Sequence, residues 1–232
     1  LIQLFHASDG SPIGQPMMHD SGVINAMFNH ADSRIITWSD DGTVQLWNAT
    51  NGLPIGQPMK HDDRIYGAFY NKDDTRILTW SDDGTAQLWD AADGSPVGQT
   101  MRHERAVLGA VFNKDETRIL TWSAGWSNEI IKNTGGTVQL WDAADGSPII
   151  QLLRHDDNVN GAMFNKDETR ILSWSSDGTA QMREIEVDDD FPNKHLSILV
   201  EAITGTSMDD YGNVIALDRD KWRQNQAKYA QI

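Results

Sequence analysis

The sequence predicts an all-β protein of repeated four-stranded units, followed by a small, mainly helical tail. A template of about 42 residues occurs four times in phase. Each copy divides into short apolar runs separated by turns rich in Asp, Asn and Gly. The pattern stops after Val187, which leaves residues 188–232 as the tail. With 232 residues, of which 39% are hydrophobic, the chain can bury one sizeable core and carry an appendage.

Histidine marks the repeat. His19, His61 and His103 lie 42 residues apart, and His155 follows after a step of 52. The longer step comes from ten extra residues in the third copy. The predicted units are residues 19–60, 61–102, 103–154 and 155–187, and residues 1–18 form the end of a preceding unit.

Each unit contains four apolar runs, which predict four strands. In the second unit they are residues 65–70, 76–81, 85–90 and 97–101. The first run is apolar and aromatic, as in a strand buried on both faces. Gly84 permits positive φ in the tight turn between the second and third runs. Pro58 and Pro96 place the fourth strand at a sheet edge, because proline lacks the N–H of a ladder.

The third run ends in Trp-Asn or Trp-Asp in three copies, at Trp47, Trp89 and Trp141. An Asp-Gly-Thr turn precedes that run in the first two copies. A four-stranded unit of this length and ending resembles the WD40 repeat of β-propellers. The resemblance covers roughly residues 1–187. It implies a WD40-type β-propeller portion of four repeat units plus a partial leading blade.

The resemblance also implies a recurring hydrogen-bonded set. In WD40 blades a His, a strand Ser or Thr, a turn Asp and the Trp bond to one another. The residues in these positions are His19, Thr37, Asp41 and Trp47; His61, Thr79, Asp83 and Trp89; His103, Thr121 and Trp141; and His155, Ser173 and Asp177. Gly135 replaces the turn Asp in the third copy, and Arg183 replaces the Trp in the fourth. We interpret the set as structural rather than catalytic or metal-binding, because it recurs in each unit whereas chemistry needs one convergent site.

A second tryptophan series lies in the second strand of each unit, at Trp38, Trp80, Trp122 and Trp174. We interpret it as core between adjacent blades. The alternative is a set of rings that stack on a carbohydrate or peptide.

The tail begins with an acidic linker, residues 188–190. Leu196, Leu199, Val200 and Ile203 then follow helical spacing, and a final helix is predicted from Arg219 to about residue 231. Residues 199–206, with the acidic pair that follows at 209–210, are similar to the segment after WD40 arrays in large bacterial multidomain proteins. There such arrays accompany signalling ATPase or kinase modules.

The phase of the repeat bears on completeness. Residues 1–6 match a third strand and residues 12–18 a fourth, so the sequence begins inside a blade. It also lacks an initiator Met. WD40 propellers usually have seven or eight blades. We therefore expect either a C-terminal piece of a longer propeller or a ring that a second chain completes, and we expect the 232 residues alone not to close.

Composition excludes several functions. The net charge of -15 argues against binding to nucleic acid phosphates or to anionic lipid. The absence of cysteine removes disulfides, thiol nucleophiles and cysteine-ligated zinc. No apolar run is long enough to cross a bilayer, and we expect no metal or cofactor.

The expected function is a non-catalytic protein-interaction platform or sensor arm. We expect it in the cytoplasm, as the WD40 part of a larger bacterial signalling or defence protein. A structural or oligomerisation module is the alternative, and a propeller enzyme is a third.

The insertion of the third copy is the candidate partner-binding site. Trp126, Ile130 and Ile131 are apolar residues outside the repeat, and exposed aromatic side chains on loops are frequent binding anchors. The predicted rim of this site consists of Arg105, Asn158 and Asp82. The alternative is that Trp126 and Ile130 pack on the neighbouring blade.

Overall fold

The computed structural model describes residues 1–125, 135–185, 206–208 and 214–216. The chain divides into two compact units, Leu1–Ile185 and Glu186–Ile232. Among the described residues, no helix has the length and apolar character that crossing a membrane would require.

The first unit consists of antiparallel sheets in sequence order. A leading hairpin comprises β1 (Ile2–Phe5) and β2 (Pro12–Met17). Blade 1 comprises β3 (Val23–Phe28), β4 (Arg34–Ser39), β5 (Thr43–Asn48) and β6 (Pro54–Lys60). Blade 2 comprises β7 (Ile65–Tyr70), β8 (Arg76–Ser81), β9 (Thr85–Asp90) and β10 (Pro96–Arg102). Blade 3 comprises β11 (Val107–Phe112), β12 (Arg118–Ser123), β13 (Thr137–Asp142) and β14 (Pro148–Arg154).

Blade 4 has three described strands, β15 (Val159–Phe164), β16 (Arg170–Ser175) and β17 (Ala180–Glu184). In the second unit, β18 (Thr206–Met208) and β19 (Val214–Ala216) pair antiparallel. The helices predicted for the tail lie outside the described residues.

The core lies between adjacent blades. Between blades 1 and 2, Ile36 and Leu46 from one blade pack against Ile65, Ala68 and Tyr70 from the next. The same strand positions form the core between blades 2 and 3. The first strands of blades 2 and 3 are therefore covered by the preceding blade, which explains the nearly continuous apolar character of that run.

A glycine in the first strand accommodates the tryptophan of the second strand. A Cβ on Gly67 would lie 2.1 Å from the ring of Trp80, and Gly109 and Gly161 have the same relationship to Trp122 and Trp174. These three rings are half-buried or exposed, whereas Trp38 in blade 1 is only 6% exposed. Blade 1 has Asn25 in the glycine position. The prediction of an inter-blade core therefore fits Trp38 best.

A carboxylate joins successive blades at the turn between the first and second strands. Asp74 of blade 2 has a φ of 59° and accepts hydrogen bonds from Asn29 Nδ2, His30 N and Ala31 N of blade 1. Glu116 of blade 3 and Glu168 of blade 4 do the same to the blades before them; their bonds are Lys72 N to Glu116 Oε1 and Asn113 Nδ2 to Glu168 Oε2. We call this contact the carboxylate clip. It ties the blades together at one end.

Candidate functional site

The recurring polar residues converge inside each blade. In blade 2, His61 Nε2 lies 2.7 Å from Thr79 Oγ1, and the Trp89 indole N–H donates to the same oxygen at 2.8 Å. His61 Nδ1 lies 2.8 Å from Thr85 Oγ1 and 3.1 Å from Asp83 Oδ2. Thr79 is fully buried, so its hydroxyl satisfies an indole and an imidazole that are both removed from water.

Blade 1 repeats this geometry with a longer carboxylate contact. His19 Nε2 lies 2.5 Å from Thr37 Oγ1, and the Trp47 indole donates to that oxygen at 2.8 Å. His19 Nδ1 lies 2.9 Å from Thr43 Oγ1 but 3.8 Å from Asp41 Oδ2. The threonine therefore makes the nearer contact to this nitrogen.

Blades 3 and 4 keep the hydrogen-bonded histidine, although each lacks one member of the network. In blade 3, His103 bonds to Thr121 at 2.6 Å and to Thr137 at 2.7 Å, and the Trp141 indole donates to Thr121 at 2.7 Å. No carboxylate takes part there, because Gly135 stands in the turn.

In blade 4, His155 bonds to Ser173 at 2.8 Å, Thr179 at 3.0 Å and Asp177 at 3.2 Å. The amide of Gln181 also approaches its Nδ1, at 3.4 Å. The histidine thus stays bonded and buried where Arg183 replaces the indole.

Burial controls the charge of these groups. It lowers the pKa of His61 below its ordinary value, and the Asp83 carboxylate partly opposes this effect. Burial also lowers the pKa of His103, to about 4, with no carboxylate to oppose it. Burial disfavours the charge of Asp83, but hydrogen bonds from Thr85 and Asp62 N, together with nearby His61, hold its pKa below the ordinary value.

This arrangement suits structure better than chemistry. Both ring nitrogens of His61 are within hydrogen-bonding distance of partners in its own blade, so neither is left to move a proton for a substrate. Among the described residues, no three His, Asp or Glu side chains lie close enough to hold a metal ion.

One contact was not predicted from the sequence, that of the threonine two residues after the turn-Asp position, which follows a glycine in all four copies. Thr43, Thr85, Thr137 and Thr179 each contact Nδ1 of the histidine in their blade. The available signal was that a threonine stands four residues before the third-strand tryptophan, or before Arg183 in the fourth copy, in every unit.

A second feature is the end of the blades that carries the histidine loops and the turns between second and third strands. We call it the upper face. Within blade 2, Asp82 N donates to Arg64 O at 2.9 Å, so loop and turn are adjacent. Between blades, Arg64 Nε lies 3.0 Å from Asp40 Oδ1.

Tyr66 also lies on this face, and its exposure was not predicted from the sequence. Its side chain is 39% exposed, and the Arg64 guanidinium carbon lies 5.9 Å from the ring centroid. The other blades have Ile24, Leu108 and Asn160 in this position. Such variation in size and polarity at one repeat position was a signal for a surface residue.

The predicted partner-binding residues fall into two groups. Trp126, Ile130 and Ile131 lie outside the described residues. The rim residues Asp82, Arg105 and Asn158 belong to loops or turns of the upper face. Asn158 Oδ1 accepts the Gly125 N–H at 2.9 Å, which holds the start of the insertion beside blade 4.

Comparison with known proteins agrees with the blade geometry. The family model "WD domain, G-beta repeat" (WD40) matches residues 10–48. The computationally designed Ika8 protein has a TM-score of 0.62 at 18% identity, over 79% of this chain and 52% of that protein. This chain thus spans about half the length of Ika8. The designed Ika4 protein has a TM-score of 0.58 at 20% identity, over 75% of this chain and 99% of that protein.

The matched repeat, the antiparallel four-stranded sheets and the likeness to these designed propellers together show that this chain has a WD40-type β-propeller fold.

Proposed function

We propose that the chain is a non-catalytic protein-interaction platform that contacts its partner through the upper face. WD40 repeats generally mediate protein interaction or scaffolding. The observation that carries the proposal is the exposed ring of Tyr66 beside Arg64. Tyrosine and arginine are, with tryptophan, the residue types enriched among energetic anchors in protein interfaces.

The surroundings of Tyr66 support this assignment. Asp82 lies beside the ring. Burial of the hydroxyl raises the pKa of Tyr66 and is the larger cause, and the Asp82 carboxylate raises it further. The hydroxyl therefore stays protonated at neutral pH and can donate. Arg105 and Asn158 extend the same face toward the insertion, whose Trp126, Ile130 and Ile131 we propose as further contacts.

A comparative pull-down tests the proposal. The full chain would be immobilised beside a Tyr66→Ser, Arg105→Glu double variant and a Leu53→Ser control. Leu53 is 48% exposed in the turn between third and fourth strands, at the opposite end of its blade. We expect the control to retain every protein that the unmodified chain binds and the double variant to lose at least one. Equal binding by all three would contradict the proposal.

We place this platform in the cytoplasm, as the sensor arm of a larger bacterial signalling or defence protein. The similarity of residues 199–206 to segments that follow WD40 arrays in such proteins supports this setting. The satisfied histidine networks support the absence of catalysis. Turnover of a hydrolase substrate that His155→Ala abolishes would contradict it.

We also propose that a second chain covers the outer face of blade 4, as in the alternative oligomerisation role. Leu172, at 39% exposure, and Trp174, at 40%, are open, whereas the equivalent Leu78 of blade 2 is fully buried by blade 3. Met182 is exposed as well. An apolar surface that adjoining blades cover elsewhere in the same chain fits the first strand of a further blade.

The carboxylate clip supports the same proposal. Asn113 Nδ2 donates to Glu168 of the following blade at 3.0 Å, but the equivalent Asn165 donates to its own Asp167 at 2.7 Å. Asp32 has the clip position in blade 1, and its carboxylate has no hydrogen bond among the described residues.

Sedimentation equilibrium tests this second proposal. We expect the unmodified chain to associate with rising concentration, Trp174→Glu to remain monomeric and Leu53→Glu to behave like the unmodified chain. A monomer at every concentration, or equal association by both variants, would contradict it.

A further inference from the structure

Blade 3 lacks a group that the other blades contain. In blade 2, the Asp83 carboxylate accepts hydrogen bonds from Thr85 N at 2.8 Å, Thr85 Oγ1 at 2.6 Å and Asp62 N at 2.9 Å. In blade 4, Asp177 accepts from Asp156 N at 2.9 Å. The carboxylate thus holds the histidine loop against the turn.

Gly135 prevents the same arrangement in blade 3. A Cβ at this position would lie 1.6 Å from His155 O, so no side chain fits. Thr137 N instead donates to Ser123 Oγ at 3.0 Å. The Glu104 N–H, which corresponds to the N–H of Asp62, has no partner among the described residues.

A cavity of about 280 Å³ lies at this place. Its walls include His103, Glu104 and Thr137, the equivalents of the three residues that contact Asp83 in blade 2. Its other walls are Arg102, Gln139 and Arg154. The cavity therefore coincides with the groups that a turn carboxylate would bond.

A second, independent change leaves an amide in the cavity wall. Gln87 Nε2 donates to Leu88 O at 2.9 Å and to Val97 O at 3.0 Å. The fourth strand of blade 2 bulges there at Gly98, which has a φ of 66°. Blade 3 has Ile150 at that position, and the equivalent Gln139 has no side-chain hydrogen bond among the described residues.

The charges of the wall favour an anion. Arg102 has no carboxylate within ion-pair distance among the described residues. Arg154 Nη2 lies 3.7 Å from Glu104 Oε2, and the Glu104 carboxylate is 78% exposed, so it does not fill the cavity. Arg102 thus adds a positive charge to the wall that no described carboxylate neutralises.

We propose that this cavity binds a carboxylate group, which takes the place of the missing turn aspartate. The carboxylate accepts hydrogen bonds from the Glu104 N–H and the Gln139 amide and pairs with Arg102, since guanidinium groups match carboxylate geometry. The group comes either from a small carboxylic acid or from an acidic residue of a peptide.

Amide NMR of the full chain tests the proposal, with sodium acetate and N-acetyl-aspartate N-methylamide as the two probes. Each would be titrated at constant ionic strength against sodium chloride. We expect saturable shifts of the Glu104 backbone amide and the Gln139 side-chain amide, without shifts of Asp62. Binding of the aspartate probe at least tenfold tighter than acetate would assign the site to peptides, and equal binding would assign it to small acids.

Matched variants make the test specific. Arg102→Gln and Gln139→Leu should each weaken binding about tenfold or more, whereas Lys60→Gln, the equivalent of Arg102 beside the filled site of blade 2, should leave it unchanged. The proposal is overturned if neither probe gives a saturable shift, as would happen if residues 126–134 fill the cavity. It is also overturned if Lys60→Gln weakens binding as much as Arg102→Gln.

Discussion

Trp80 and Gly67 are paired on neighbouring strands of blade 2, and the indole ring of Trp80 occupies the space where a side chain of residue 67 would start. A Cβ on Gly67 would lie 2.1 Å from Cζ2 of the ring. Gly67 has no positive φ, so the need for glycine here is purely steric. The ring then reaches Phe69, whose centroid lies 5.6 Å away in an edge-on arrangement.

Gly67→Ala should therefore destabilise the fold by about 1–3 kcal/mol, because the new methyl group forces the indole out of its place. Asn25→Ala is the matched control, since Asn25 has the same register position in blade 1. It should change stability by less than about 0.5 kcal/mol. Urea unfolding followed by tryptophan fluorescence measures both. Equal losses in the two variants would show that the contact with Trp80 is not the reason for the glycine.

The buried indole of Trp89 should be among the most costly residues to truncate. Trp89→Ala removes a large core side chain and leaves Thr79 without its donor, so we expect a loss of about 3–5 kcal/mol. Arg183→Ala alters the equivalent, exposed position of blade 4 and should lower the free energy of unfolding far less. Thermal unfolding by circular dichroism compares them. A small effect of Trp89→Ala would refute the proposed role of the network.

The carboxylate clip should contribute to cohesion between blades. Asp74→Asn keeps a residue that tolerates the left-handed backbone but removes the charge that accepts from Asn29 and the His30 and Ala31 N–H groups. We expect a loss of about 1–2 kcal/mol. Asp32→Asn alters the unoccupied clip position and should be neutral. The midpoints of denaturant unfolding, compared at equal m-values, measure the stability of both variants. A neutral Asp74→Asn would argue against the clip as a stabilising contact.

His103 should make stability depend on pH. Its folded pKa of about 4 lies below the ordinary value of 6.5, so between these values the unfolded chain binds a proton that the folded chain does not. The stabilisation is thus fully present above pH 6.5 and is lost as pH falls toward 4. The loss is on the order of 2–3 kcal/mol. His103→Gln should flatten this slope. Unfolding at pH 7.5, 6, 5 and 4.5 measures the slope, and an unchanged slope in His103→Gln would contradict the assignment.

The repeat made the fold predictable. Four in-phase copies placed each strand of blade 2 within about a residue of its observed bounds, because turn residues and apolar runs repeat together. His61, Thr79 and Trp89 could be grouped for the same reason. The role of Thr85 was not predicted, since a threonine beside an Asp-Gly turn reads as ordinary turn chemistry until its distance to the histidine is known.

Features that depend on contacts between blades could not be read from one copy. The clip at Asp74 joins residues more than 40 positions apart, and only the packing of blade 2 on blade 1 brings them together. The exposure of Tyr66 likewise depends on which neighbour covers the first strand. The cavity of blade 3 could not be predicted, because it depends on Gly135 before β13 and Ile150 in β14 altering the same place.

Hydroxyl-radical footprinting of the chain, alone and with a protein captured in the pull-down, tests the central claim most directly. The claim is that the upper face around Tyr66 is the contact surface. We predict that oxidation of Tyr66 falls at least threefold on binding, while oxidation of Leu53 at the opposite end of its blade is unchanged. Protection of Leu53 with Tyr66 still fully reactive would contradict the account.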